Sequence, residues 1–155
     1  MTPAVGEKAP EFCLYDKDGT KTCLNDIQSK YTVIYFYPKD NTPGCTIEAN
    51  GFQSLKNEFE QEDATILGIS GGDEKSKRSF CEKNDLDITL LSDKDFSIAT
   101  KYGVYGEKKM LGKTSKAITR SSFLLDKDKN IIKIYPNVNP QTHPKQVLTT
   151  IQRTK

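Results

Sequence analysis

YTVIYFYPKDNTPGCTIEANGF, residues 31–52, changes character twice within a short distance. Its first part, Val33-Ile34-Tyr35-Phe36-Tyr37, is β-branched and aromatic throughout, and far too short to span a membrane. It reads as a buried central strand. Pro38 stops it, and a polar turn follows at residues 39–42. Beyond Cys45 the apolar period becomes helical, with Phe52, Leu55 and Phe59 at i, i+3 and i+7. A strand therefore ends, the chain turns, and a helix begins. Thr42 is the expected N-cap and Pro43 the first helical residue, which places Cys45 in the first turn.

That placement carries chemistry. The first turn of a helix presents unpaired N–H groups and a partial positive charge, which favour an anion such as a thiolate. A free thiol titrates near ~8.5, and holding one ionised down to ~6 takes ~3.4 kcal/mol. A helix terminus supplies only ~0.3–2 kcal/mol. A second donor is required, and an arginine from elsewhere in the chain is the expected source.

The 155 residues suit one domain, residues 1–155, with a sizeable core. Lysines and arginines number 23 against 21 acidic residues, interspersed rather than blocked, which argues against an electrostatic nucleic-acid or membrane binder. Residues 1–6 have neither a basic nor an apolar region of the signal-peptide kind. The four cysteines, Cys13, Cys23, Cys45 and Cys81, form no C-x-x-C pair, so neither a zinc ribbon nor a vicinal dithiol is supported. A reducing, cytoplasmic setting is expected.

Working outward, residues 11–15 and 21–24 read as a hairpin around Asp16-Lys17-Asp18-Gly19. With a three-residue loop at 17–19, Asp16 pairs with Thr20 and Cys13 faces Cys23. These two are expected to stay reduced, a cross-strand disulfide being the alternative. Residues 64–70, ATILGIS, form a second apolar run and a parallel strand. Asp73 caps a helix over 74–84 that is polar except for Phe80 and Cys81, and so is expected to pack weakly. A short strand at 88–91 and a short helix at 96–102 closed by Gly103 follow. Residues 104–119 read as irregular and basic. A hairpin, 120–126 and 131–135, and a C-terminal helix from about 142 with Val147, Leu148 and Ile151 on one face complete the chain. His143, the only histidine, is expected at the surface. The order predicts an α/β fold: a mixed central sheet flanked by helices, thioredoxin-like, with an N-terminal β-hairpin extension. Ligands in such sheets gather at the carboxyl ends of strands, where Cys45 lies.

Pro38-x-x-x-Thr42-x-x-Cys45 resembles the active-site loop of the peroxiredoxins, and FYPKDNTPGCTIEA at 36–49 is similar to their peroxiredoxin Q, or bacterioferritin comigratory protein, branch. YGEKKMLGK at 105–113, ITRSSFLLD at 118–126 and GEKAPEF at 6–12 agree in order. The resemblance implies that Cys45 is the peroxidatic nucleophile, oxidised to a sulfenic acid by hydrogen peroxide or an organic hydroperoxide. It implies that the Thr42 hydroxyl bonds thiolate and peroxide, that Pro38 shields the pocket, and that Arg120 is the awaited second donor. No metal or organic cofactor is implied. Glu48 is either a partner of Lys39 or Arg120 or a solvated side chain, and Tyr37 packs rather than reacts.

The near resolving cysteine of many members, five residues after the nucleophile, is replaced by Asn50, followed by Gly51, a pair expected to loosen the helix. Cys81 is then the resolving candidate. Cα atoms must come within about 7 Å for a disulfide, so the first turn of the Cys45 helix would have to unwind. Thioredoxin or a similar thiol is the expected reductant and a monomer the expected unit. The competing readings are a single-cysteine cycle reduced by an external thiol, a redox-responsive interaction or chaperone module, and a Cys–His hydrolase using His143.

Overall fold

The computed structural model describes residues 2–154, without the side chains of residues 108–110. A hairpin opens it, β1 (Cys13–Tyr15) and β2 (Lys21–Cys23), followed by a single 3-10 turn, Leu24–Asp26. β3 (Tyr31–Phe36), α1 (Pro43–Ser54), α2 (Lys56–Gln61), β4 (Ala64–Ser70), α3 (Glu74–Asn84) and β5 (Thr89–Ser92) form the parallel centre. Next come α4 (Ser97–Lys101), a separate hairpin of β6 (Tyr105–Met110) and β7 (Lys113–Ile118), then β8 (Ser121–Leu125), β9 (Ile131–Tyr135) and α5 (His143–Thr154). The seven-stranded sheet has the order β2-β1-β5-β4-β3-β8-β9. It is mixed, with β8 antiparallel to β3 and β1 antiparallel to β5.

β3 is buried on both faces, which is why its sequence is apolar without alternation. Val33, Tyr35 and Tyr37 join the core beneath α1, α2, α3 and α5, which contribute Phe52, Phe59, Phe80 and Val147. Ile34 and Phe36 point the other way, into a core closed by Phe12, Leu24, Ala99 and Ile118. Among the described residues, no helix is long and apolar enough to cross a membrane.

Several expectations are corrected. The helix carrying Cys45 is broken at Leu55, so Phe52 and Phe59 lie on successive helices. Residues 104–119 are ordered as the β6–β7 hairpin. Its two-residue turn uses Leu111 and Gly112, at φ 52° and 77°. A leucine in the left-handed region hides a turn that Asn-Gly would have announced. Gly51 does not loosen α1. A Cβ there would lie 2.8 Å from Cγ of Pro144, so it is the contact point that lets α5 pack on α1.

Cys13 and Cys23 are joined in a disulfide, contrary to the expectation of free thiols. The predicted register is observed. Backbone bonds Asp16 N to Thr20 O and Leu24 N to Phe12 O place the pair at a non-hydrogen-bonded position, with Cα atoms 4.0 Å apart. That is where opposed side chains come closest in an antiparallel ladder.

Candidate active site

The site begins where β3 runs out. Asn41 takes a left-handed conformation, φ 63°, which asparagine tolerates better than most residues. Thr42, extended as a residue before proline must be, becomes the N-cap of α1, with Pro43 first in the helix. Thr46 N–H donates to the Thr42 carbonyl at 2.9 Å. The N–H groups of Gly44 and Cys45 precede that first bond and have no partner within the helix. Cys45 is third in α1 and only 1% exposed. The Thr42 hydroxyl does not cap the helix. It donates to the Lys39 carbonyl at 2.8 Å, which leaves its lone pairs free to accept.

Arg120 precedes β8, whose first residue, Ser121, pairs with Phe36 at the end of β3. That register carries the guanidinium to the first turn of α1. Arg120 Nη1 donates to Glu48 Oε1 at 2.8 Å, and the guanidinium lies within electrostatic reach of Cys45. Burial works against the arginine's charge, but Cys45 and Glu48 outweigh it and raise its pKa. Gly44 makes room for this: a Cβ there would lie 2.9 Å from Arg120 Nη2.

Glu48, one turn beyond Cys45, is fully buried and pairs with Arg120, which decides between its two expected roles. Burial pushes its carboxyl from 4.5 to about 7, with Arg120 pulling the other way. Its Oε2 has no hydrogen-bond partner among the described residues. A carboxyl poised near neutrality one turn from Cys45 is the result.

Cys81 lies on α3, in the same core as Cys45, and both are free thiols. Burial raises its pKa, with Lys17 pulling down and Asp40 pushing up. The Tyr35 hydroxyl feels both thiols, and burial holds it far from ionising. Tyr37 packs as expected, and its hydroxyl donates to Asp40 Oδ1 at 2.6 Å. Pro38 is half-buried and lines a cleft of about 480 Å³ with Asp40, Gly72, Ser76, Phe96 and Ile118.

His143 is buried, not at the surface. It lies four and eight residues before Val147 and Ile151, on the stripe that faces the core. Its Nε2 bonds Ser122 Oγ at 2.7 Å and its Nδ1 bonds Gln146 Oε1 at 3.1 Å. Both nitrogens are engaged away from Cys45, which sets the hydrolase reading aside.

A family model described as AhpC/TSA matches residues 5–134. The chain belongs to the AhpC/TSA family. Peroxiredoxin Bcp of Bacillus subtilis is 39% identical over 152 residues, covering 98% of this chain and 97% of that one. A serine variant of Xylella fastidiosa PrxQ superposes with a TM-score of 0.92 at 33% identity, covering 97% and 96% of the two chains. The Xanthomonas campestris bacterioferritin comigratory protein, described for alkyl peroxide reduction, does so at 0.87 and 36% identity, covering 92% and 91%. Serine variants of that organism's peroxiredoxin Q replace two cysteines thirty-six positions apart, the interval between Cys45 and Cys81 here.

Two features of this AhpC/TSA chain escape its sequence pattern. One is the burial of Glu48. The other is an ion pair between Lys77 of α3 and Asp40 of the loop, 2.9 Å apart with side chains 0% and 2% exposed. α3 thus turns Lys77 inward beside Phe80 and Cys81 and is tied to the loop by a buried ion pair, where only Phe80 and Cys81 were expected to pack. The signal for Lys77 was its spacing: it lies three and four residues before Phe80 and Cys81, on the helix's inward face.

Proposed function

We propose that this chain, acting as a single 1–155 unit and a monomer, is a thiol-dependent peroxidase with Cys45 as nucleophile. The observation that carries the proposal is the Arg120 guanidinium, held by Glu48 and admitted by Gly44, on the first turn of the helix that bears Cys45. The Cys45 thiolate attacks the terminal oxygen of a hydroperoxide. The O–O bond breaks, the leaving oxygen takes a proton to depart as water or alcohol, and the sulfur becomes a sulfenic acid. Arg120 and the free N–H groups of the first turn stabilise charge developing on the peroxide oxygens. The Thr42 oxygen accepts from the hydroperoxide O–H, and Pro38 limits water. The apolar side of the adjoining cleft, Phe96 and Ile118, suits the organic part of an alkyl hydroperoxide.

Cys81 then attacks the sulfenic sulfur, releasing water and forming a Cys45–Cys81 disulfide. An external dithiol such as thioredoxin, in a reducing compartment like the cytoplasm, returns both to thiols. The spacing shared with the Xanthomonas variants supports Cys81 in this role. The test is one equivalent of hydrogen peroxide on protein with Cys45 and Cys81 reduced, read by intact mass and free-thiol count. Loss of two thiols without added oxygen in the parent, with a trapped sulfenic acid in Cys81→Ser, is expected. An added oxygen in the parent means a single-cysteine cycle. An unchanged Cys45 ends the peroxidase reading and moves an interaction module to the front.

A further inference from the structure

The loop before Cys45 and the helix bearing Cys81 are tied together by the buried pair of Asp40 and Lys77. Lys77 is one helical turn ahead of Cys81, and Asp40 is five residues ahead of Cys45. Lys77 Nζ donates to Asp40 Oδ2 at 2.9 Å, to Ser70 Oγ at 2.8 Å and to the Gly72 carbonyl at 3.4 Å. Asp40 accepts twice more: from the Tyr37 hydroxyl on Oδ1 and from Ser76 Oγ on Oδ2, both at 2.6 Å. The network thus joins the ends of β3 and β4, the loop carrying Thr42, and α3. Burial lowers the Lys77 pKa, while Asp40, Asp73 and Cys81 raise it.

A fully desolvated ion pair is an expensive way to hold two segments together. An apolar pair of similar volume commonly stabilises as well or better. What distinguishes the charged pair is how it comes apart. Losing one partner leaves a buried, uncompensated charge, whereas parting both into water rehydrates both. The contact therefore fixes geometry sharply and opens as a whole.

We propose that Asp40 and Lys77 are positioning residues that latch the Cys45 loop to the Cys81 helix, so that the two segments open together or not at all. The functional sense of this rests on the Cys45–Cys81 reading above. In the closed form the loop is held for reaction with peroxide, and release of the latch frees Cys81 to reach the sulfenic sulfur.

The experiment uses the full chain carrying Cys45→Ser. With Cys13 and Cys23 bonded, Cys81 is then the only thiol open to iodoacetamide, and no resolving chemistry is needed for the readout. Lys77→Met and Asp40→Asn should each raise the Cys81 alkylation rate tenfold or more, and the apolar double variant Asp40→Leu/Lys77→Met should restore it to within about threefold of the parent. Amide exchange should show the effect crossing over: Lys77→Met loosens α1, and Asp40→Asn loosens α3. Alkylation rates within twofold of the parent, or loosening confined to the substituted segment, would overturn the latch. Should either single variant fail to fold, Lys77→Arg and Asp40→Glu replace it with the same expected direction. In the four-cysteine protein, weakening the latch should speed disulfide formation without speeding the peroxide step, a split that general destabilisation does not produce. Failure of the parent to form any Cys45–Cys81 disulfide counts against the resolving reading alone, since the alkylation result stands independently.

Discussion

Glu48 and His143 carry opposite pH dependences, and separating them tests the site's electrostatics. Burial lifts the Glu48 carboxyl from 4.5 to about 7, against the pull of Arg120. Folding thus favours its protonated form. That contribution is complete below pH 4.5 and is lost as pH rises through about 7. Burial holds the His143 imidazole down from 6.5 to about 4. Folding favours its neutral form, a contribution present above pH 6.5 and lost as pH falls through about 4. Each displacement corresponds to about 3 kcal/mol at ~1.36 kcal/mol per pKa unit. In the window where they overlap, the folded protein keeps a proton on Glu48 that the unfolded chain has released, while the unfolded chain holds one on His143. The two proton counts cancel.

Substitution removes the cancellation. Relative to the parent, Glu48→Gln should gain about 3 kcal/mol of unfolding free energy between pH 4.5 and pH 7, and His143→Gln should lose about as much between pH 4 and pH 6.5. The double variant should regain the parent's slope. Urea unfolding at half-unit pH steps and constant ionic strength gives all four profiles. Packing lost against Phe52 and Tyr135, on which the His143 ring lies edge-on, adds a constant offset and leaves the slopes alone. Two single variants that run parallel to the parent would refute the assigned protonation states.

Three further outcomes follow from the geometry. Cys13→Ser opens a loop whose ends are 10 residues apart, so its urea unfolding free energy should fall by about 2.5–3 kcal/mol against the oxidised parent, and a reduced parent should behave like the variant. Gly44→Ala pushes a methyl group onto Arg120 Nη2, and loss of one charge-assisted bond, about 1.5–3 kcal/mol, should lower the second-order rate with hydrogen peroxide by roughly 10–100-fold while circular dichroism stays unchanged. Gly51→Ala gains about 1 kcal/mol of helix propensity but meets the Pro144 ring, a clash of about 1–3 kcal/mol, so its melting temperature should not rise, and Gly51→Ala/Pro144→Ala should recover the propensity gain.

Strand and helix placement was legible wherever one residue type had one cause. The apolar run of β3, the Asp73 cap of α3, whose Oδ1 accepts from Ser76 N, and the Val147, Leu148 and Ile151 stripe of α5 are such cases. The thiol at a helix start called for an arginine without saying which, and the family resemblance pointed to Arg120, whose guanidinium does reach α1. Polar residues on buried faces were less legible. Lys77 and His143 sit on inward stripes, but side-chain type argued for solvent, and only the tertiary partners Asp40 and Ser122 reverse that; for Glu48 two readings stood open, and Arg120 decides between them. The glycine at 51 misled for a related reason. Its purpose is set by a proline ring remote in sequence, so backbone freedom looked like the explanation when close approach is.

These buried polar residues have a common physical sense. α1 turns few apolar groups inward, with Cys45, Ala49 and Phe52 buried alongside Glu48. Its second half is held by apolar contact, Phe52 stacking on Tyr35 with centroids 4.5 Å apart. Its first half is held by charge instead: Arg120 on Glu48, and Asp40 just upstream on Lys77. Desolvation offsets much of what such pairs gain, so they orient a segment closely while adding little net stability. That combination suits the role proposed for Cys45, placed for the peroxide step and then released for the disulfide. An apolar first half would hold Cys45 as firmly, but opening it would expose hydrocarbon to water and cost about 25 cal/mol for each Å² uncovered. The charged half opens onto solvent that accepts it.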